Sequence, residues 1–305
     1  MHLILRRLVR GAAVFVLTIG VSHVFGGPIG YSVRSDVDRK LYRIDMATGV
    51  SSEIGVTGIN KIEGLAINAT GELFGVSPST AQLVKCAAAT GVCTVVGSLA
   101  GLPQLQTNAG LAFASNGLLY LAANAVIYRV DPATGAATAL GGSGPALSGL
   151  AGVAPSAVCP SGLYGMGGNG DRGKFYCINI GTGSATLLGA LGVSPVDVGL
   201  DGDPATGLVW GVSNDDPGQV FAVDPATLSV SNVNTVTLAG KAIGGFESLA
   251  VARTGTAAVG DPLALAAEAT PIPAVSHGGL VLLAIMLSLL AAPSRARSHL
   301  ASRRK

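Results

Sequence analysis

An all-β ring of five four-stranded blades, a β-propeller, is the architecture predicted by this 305-residue sequence. Three observations predict it. A motif recurs at the period of a propeller blade, each copy contains four short β-prone runs separated by turn residues, and the runs fill whole blades only if the two ends of the repeat region share one.

The motif reads LYRIDMATG from residue 41, LVKCAAATG from 83, IYRVDPATG from 127, FYCINIGTG from 175 and VFAVDPATL from 220. Its equivalent positions Asp45, Ala87, Asp131, Asn179 and Asp224 are spaced by 42, 44, 48 and 45 residues. In the third copy the four runs are IYRVD, ATALG, SGLAGV and LYGMG. The second run recurs as SSEIG, CTVVG and ATLLG, the third as EGLAIN, AGLAFA, VGLDG and ESLAVA, and the fourth as ELFGVS, LLYLAA and LVWGVS. Between first and second runs stand Asp or Asn, Pro and Thr-Gly. These are hairpin residues, because Pro presets φ and Gly accepts φ > 0, so the motif is read as structural punctuation.

The fifth copy stops after ESLAVA and lacks its fourth run, while GYSVRS at residues 30–35 supplies one ahead of the first copy. Twenty runs result, enough for five blades of four antiparallel strands. Pairing of the N- and C-terminal strands within one blade then closes the ring and removes two sheet edges. The composition agrees. Only 12% of residues are charged, against roughly 25% on average, and there are 44 glycines for tight turns. The GLA-type run followed by a turn and L-Y-G/V resembles the innermost strand of secreted bacterial repeat propellers and the NHL-like group. That resemblance implies a fold and no activity.

The two ends read as targeting segments. Residues 1–26 place Arg6, Arg7 and Arg10 before an apolar stretch from Gly11 to Phe25, with Val24 and Gly26 as small residues before a cut, as a secretory signal peptide requires. The propeller is assigned to 27–254, a linker to 255–270 and a tail to 271–305. From Ile272 to Ala292 there is no charged residue, long enough to span a bilayer as a helix, and five basic residues follow from Arg295 onward, on the side that stays cytoplasmic. Ile272-Pro273, Ser276 and Gly279, ahead of an apolar run and a basic end, resemble the C-terminal sorting domains of the PEP-CTERM class and its IPTL-CTERM variant. The resemblance implies an exported Gram-negative cell-surface, outer-envelope or extracellular protein. It would be anchored transiently in the inner membrane through the tail, and that tail read by a membrane-embedded processing enzyme of the exosortase type. An ordinary retained tail anchor is the alternative.

With these ends set aside, the middle holds all 17 acids against 11 bases, a net charge of −6. No Lys/Arg cluster is present, which excludes nucleic-acid binding. All four histidines, His2, His23, His277 and His299, lie in the end segments. Ser-His-Asp and Cys-His chemistry is therefore excluded from the propeller, together with the commonest zinc or copper ligand. Cys86, Cys93, Cys159 and Cys177 fall in the exported part, where disulfides form. Three pairings can be drawn. Cys86 with Cys93 across the Ala-Thr-Gly hairpin, and Cys159 with Cys177 across the third and fourth blades, are preferred, while the lack of C-x-x-C pairs argues against a four-cysteine metal site.

One constellation has chemical interest. Glu63, Ser148 and Glu247 precede the proposed inner strands, with Asn108 and Asp197 one residue before the matching position. Five-fold closure brings them to one mouth of the channel, where they could hold Ca²⁺ or pair as acid and base on a glycan. Read as plain structure, they are hydrated strand-entry residues or partners of Lys61 and backbone amides. Asp201-Gly-Asp203 and Asn214-Asp215-Asp216 read as turns, since neither has EF-hand spacing, and Trp210 reads as core. The sequence thus predicts no cofactor other than a Ca²⁺ that the mouth could hold. It favours a non-enzymatic binding or matrix module with a glycan or protein ligand over a secreted Ca²⁺-dependent hydrolase or lactonase-like enzyme.

Overall fold

In a computed structural model of the chain, the described residues are 27–100, 102 and 109–252. They form five sheets arranged as propeller blades. Blade 2 comprises β4 (Gly64–Ile67), β5 (Leu73–Ser77), β6 (Gln82–Cys86) and β7 (Cys93–Ser98), and blade 3 β8 (Ala109–Phe113), β9 (Leu119–Ala123), β10 (Val126–Val130) and β11 (Ala137–Gly142). Blade 4 is built from β12 (Leu147–Gly152), β13 (Leu163–Gly167), β14 (Lys174–Ile178) and β15 (Ala185–Ala190), and blade 5 from β16 (Val198–Gly202), β17 (Val209–Ser213), β18 (Gln219–Asp224) and β19 (Ser229–Thr235). In each the chain runs antiparallel from the axis outward.

Blade 1 closes the ring as the sequence predicts. Its innermost strand is β22 (Ala250–Val251), from the C-terminal end, followed by β1 (Ile29–Val33), β2 (Lys40–Asp45) and β3 (Val50–Val56). The β22–β1 ladder has only two residue pairs, Gly30 with Val251 and Tyr31 with Ala250. Side chains reinforce it. The Val33 amide donates to Ser248 Oγ at 3.1 Å, Ser32 Oγ donates to the Ser248 carbonyl, and the Val251 amide donates to Asp201 Oδ2 at 2.8 Å. Asp201 stands where the other GLA runs have alanine, and its carboxylate, buried in blade 5, anchors the closing strand. The ring, with its closing pair and both disulfides, lies wholly within residues 27–252 and holds a complete core of its own.

Each pair of neighbouring blades encloses one apolar cluster, so there are five cores instead of one. A strand sandwiched between two blades is buried on both faces and reads as a continuous apolar run. For this reason β5, β9, β13 and β17 are buried throughout. Trp210 belongs to the cluster between blades 5 and 1, as expected.

The sequence does not announce the bulge in every outer ladder. Leu41 pairs with Gly55 and Tyr42 with Glu53, leaving Ile54 extra; Val96, Leu140 and Leu188 are extra in the same way in blades 2, 3 and 4. A bulge lets an edge residue turn back towards the core, and these four residues pack on the inter-blade clusters. The glycine after each lies against the turn of the next blade. A Cβ on Gly97 would stand 1.9 Å from the Thr134 carbonyl oxygen, and one on Gly55 2.2 Å from that of Thr90. The recurring ending of SSEIG, CTVVG and ATALG is the signature of this contact.

Two differences from expectation follow from the backbone, and the turn motifs are as expected. A hairpin of β20 (Thr237–Leu238) and β21 (Lys241–Ala242) adds to the outer edge of blade 1, with β20 parallel to β3. The disulfides are Cys86–Cys93 and Cys159–Cys177, the preferred pairs. The second lies within blade 4, between the β12–β13 loop and β14, and not across two blades, because the sequence repeat begins at the third strand of a blade. Asp45, Asp131, Asp203 and Asp224 each accept a hydrogen bond from the amide two residues on, at 2.9 Å, which makes these motifs turns. Among the described residues no helix is long and apolar enough to cross a membrane. Asn108, the signal segment and the sorting residues Ile272, Pro273, Ser276 and Gly279 lie outside the described residues.

Candidate functional site

The five inner strands align as E-G-L-A, A-G-L-A, S-G-L-A, V-G-L-D and E-S-L-A from Glu63, Ala109, Ser148, Val198 and Glu247. At the second position of the first four, a side chain would collide with the neighbouring strand, while the fifth carries Ser248. A Cβ on Gly110 would lie 2.7 Å from the Gly149 carbonyl carbon, and one on Gly199 2.3 Å from that of Ser248. Glycine is needed here for close approach of backbones. The strands converge until no room for a water molecule is left between them. The axis is a packed core, and the strand-entry residues form its lid at one end.

Lys61 is the hub of that lid. Its Nζ lies 2.7 Å from Glu63 Oε1, 2.9 Å from Asp36 Oδ2 and 4.0 Å from Glu247 Oε2. The contact with Glu63 is ionic and off the line of a hydrogen bond. Glu247 Oε1 accepts from Asn214 Nδ2 at 3.0 Å. Asp197 accepts from Ser148 and, at 2.8 Å, from the Val198 amide. Lys61 thereby ties three stretches of chain: the segment after β1, the entry to β4 and the entry to the closing strand β22.

Three carboxylates here are almost fully buried, Glu63, Asp197 and Glu247. Burial raises the Glu247 pKa from 4.5 to about 7; Lys61 opposes the rise, while the Asp36 and Asp197 carboxylates add to it. Burial likewise raises Asp197, against its bonds to Ser148 and the Val198 amide. A carboxyl that exchanges its proton near neutrality can serve as general acid or base. For Ca²⁺ the fit is poor, because the lysine ammonium stands among the oxygens that a cation would need. Among the described residues no three acidic, His or Cys groups are placed to hold a metal.

No family model and no curated protein matches the sequence. Three solved structures are similar in part. A protein of unknown function from Bacteroides thetaiotaomicron VPI-5482 aligns at 18% identity and TM-score 0.46 over 60% of this chain, which spans 53% of that one. Virginiamycin B lyase from Staphylococcus aureus aligns at 16% identity and TM-score 0.40, covering 67% of this chain and 69% of its own. A symmetrical protein, described in terms of de novo evolutionary emergence shaped by folding constraints, aligns at 19% identity and TM-score 0.46, covering 73% and 97%. No role is carried over from them.

Of the residues singled out in the sequence, Glu63, Ser148, Asp197 and Glu247 gather at this one end. Asp36 and the bond from Asn214 were missed. Both sit in the loops that follow fourth-run strands, loops that themselves carry no part of the repeat, so only the closed ring shows that they meet Glu247.

Proposed function

We propose that the chain is an exported surface or envelope protein of a Gram-negative bacterium. Its propeller acts as a binding or matrix module for a glycan or another protein, and its tail is sorted by an exosortase-type enzyme. The closed axis supports this reading most directly. The mouth carboxylates are engaged with Lys61 above strands packed too tightly to admit water, so recognition falls to loops and outer strands. Two disulfides suit an oxidising compartment.

The rival reading, a Ca²⁺-dependent hydrolase or lactonase-like enzyme, draws on the raised pKa of Glu247. Calcium titration of residues 27–270 during heat unfolding separates the two. A specific site raises the melting temperature with concentration; no rise is expected, and a rise abolished by Glu63→Gln or Glu247→Gln would replace the module with a catalytic mouth. Fractionation of a Gram-negative host expressing the full chain tests export. An uncut product held in the cytoplasm with reduced cysteines would refute it.

A further inference from the structure

The closing blade has the shortest inner ladder of the ring. Two residue pairs join β22 to β1, whereas four join β4 to β5 and five join β8 to β9, β12 to β13 and β16 to β17. The chain reaches β22 through Gly244 and Gly245, beyond the hairpin of β20 and β21, and that hairpin is held separately on β3. Gly245 stands at φ 83°, and a glycine pair is free to hinge, so the closing strand can leave while the hairpin stays. Stability is not uniform across a fold, and a segment held by a short ladder opens at less cost than the whole.

At its entrance this strand carries Glu247, which is faced from four sides. Asp36 approaches from the segment after β1, Lys61 from the entry to β4 with Glu63 behind it, Asp197 from the entry to β16, and the uncharged Asn214 from the loop after β17. Asn214 donates to Oε1. The other oxygen, Oε2, is buried, and no N–H or O–H donor among the described residues lies within hydrogen-bond distance of it; Lys61 Nζ stops 4.0 Å away. A buried acceptor left without a donor is costly. A proton taken up by this carboxyl lowers the cost, because it removes charge from a buried group and supplies a donor for the Asp36 carboxylate, which lies within hydrogen-bonding reach. Two carboxyls so placed hold one proton between them. Without it, the carboxylates of Asp36, Glu63, Asp197 and Glu247 face a single ammonium.

We propose that Asp36, Lys61 and Glu247 form a proton-operated clasp on the ring: while one proton is held between Asp36 and Glu247 the closing strand stays in place, and when that proton leaves, residues 246–252 open as a unit with the other four blades still folded. The direction follows from proton binding. Glu247 takes up its proton at about 7 in the closed ring and at 4.5 in an opened, solvated strand, so closure is fully supported below pH 4.5 and weakens as pH rises through 7. Between pH 5 and pH 8 the opening constant of the strand rises about 70-fold. Opening uncovers the edge of β1 together with Leu249 and Val251 of the core between blades 5 and 1. A change of ambient pH near neutrality thus becomes an accessible strand at the C-terminal end of the ring. The clasp depends neither on the ligand nor on the export proposed above.

Hydrogen exchange of residues 27–270 with the disulfides formed tests the clasp at pH 5, 6, 7 and 8, each rate being divided by that of an unstructured peptide at the same pH. The Val33, Val251 and Ala252 amides report on the strand, since they donate to Ser248 Oγ, Asp201 Oδ2 and the Ile29 carbonyl. The β9 amides, in a strand paired on both sides, report on the whole ring. The three seam amides should exchange roughly tenfold or more faster than β9 at every pH and gain about 70-fold from pH 5 to pH 8. Glu247→Gln should leave only the gain due to Asp197. Asp36→Asn, at a side chain 62% exposed, should keep the fold and move the midpoint of the gain below 7. Seam amides that exchange no faster than β9 would show that the strand opens only when the whole ring unfolds, and that overturns the proposal. So does a wild type without the gain, a gain that persists in full in Glu247→Gln, or a midpoint that Asp36→Asn leaves in place.

Discussion

Replacing Glu247 with Gln should change the pH profile of stability in a defined direction. Glu247 takes up its proton at about 7 in the folded ring and at 4.5 when unfolded. Between those values the folded state binds more protons, so stability must fall as pH rises. The stabilisation is fully present below pH 4.5 and is lost as pH rises through 7. At about 1.4 kcal/mol for each tenfold change in proton affinity, the loss is roughly 3 kcal/mol. Asp197 is shifted in the same direction. Glu72, Asp131 and Asp224 are held below their usual values, first by Lys85, the Ala133 amide and the Ala226 amide respectively. They contribute stability that is lost only as pH falls below their ordinary range, outside this window. Urea unfolding at pH 5, 6, 7 and 8, followed through buried Trp210, measures the profile. The wild type should lose most of the 3 kcal/mol across it. Glu247→Gln, whose Oε1 can still accept from Asn214, should give a clearly shallower profile, with only the fall due to Asp197 left, and exceed the wild type at pH 8. A wild-type profile that is flat or rising, or a variant that declines in parallel, would refute the reasoning.

Three further outcomes follow from the packing. Asp201→Ala removes the acceptor of the Val251 amide and should cost about 1.5–3 kcal/mol, the range for a hydrogen bond to a charged group, read as a lower urea midpoint at constant slope. Gly97→Ala drives a methyl into the Thr134 carbonyl and should cost about 1–3 kcal/mol, while Gly192→Ala, with open space around its Cβ position, should be neutral; equal effects in a thermal scan would dismiss the inter-blade contact. Replacing Cys159 and Cys177 together by Ser should destabilise by about 2–4 kcal/mol, and dithiothreitol should lower the wild-type melting temperature correspondingly.

The blade count, the strand order and the closing strand were legible because each rests on local pattern repeated five times. A run such as LYLAA and a turn such as Asp-Pro-Ala-Thr-Gly declare themselves within a few residues. The bulges were legible only in hindsight, through the apolar-Gly ending of the outer runs, since its meaning depends on the neighbouring blade. Glu63 and Glu247 could be placed at the mouth by their position before the GLA run. That Lys61 would occupy the space between them, and that the glycines would bring the strands together until the axis shut, could not be read, because both depend on distances between segments far apart in the chain. Asp201 is the instructive case. It looks like part of an acidic turn, yet its departure from alanine in the inner-strand alignment marks the one neighbour whose strand needs an acceptor.

The closing blade also bears on where the chain has to begin. At the seam the Ala252 amide donates to the Ile29 carbonyl at 2.8 Å, so the two ends of the ring are already neighbours. A short peptide joining them, with a new opening at Gly144 between blades 3 and 4, where nothing crowds the Cβ position, would turn the two-pair ladder into an ordinary hairpin and move the break elsewhere. The five blades do not specify a first and a last. Natural order puts the break where both flanking segments leave from a single blade, and a circularly permuted ring would separate what that placement does for the segments from what it does for the fold.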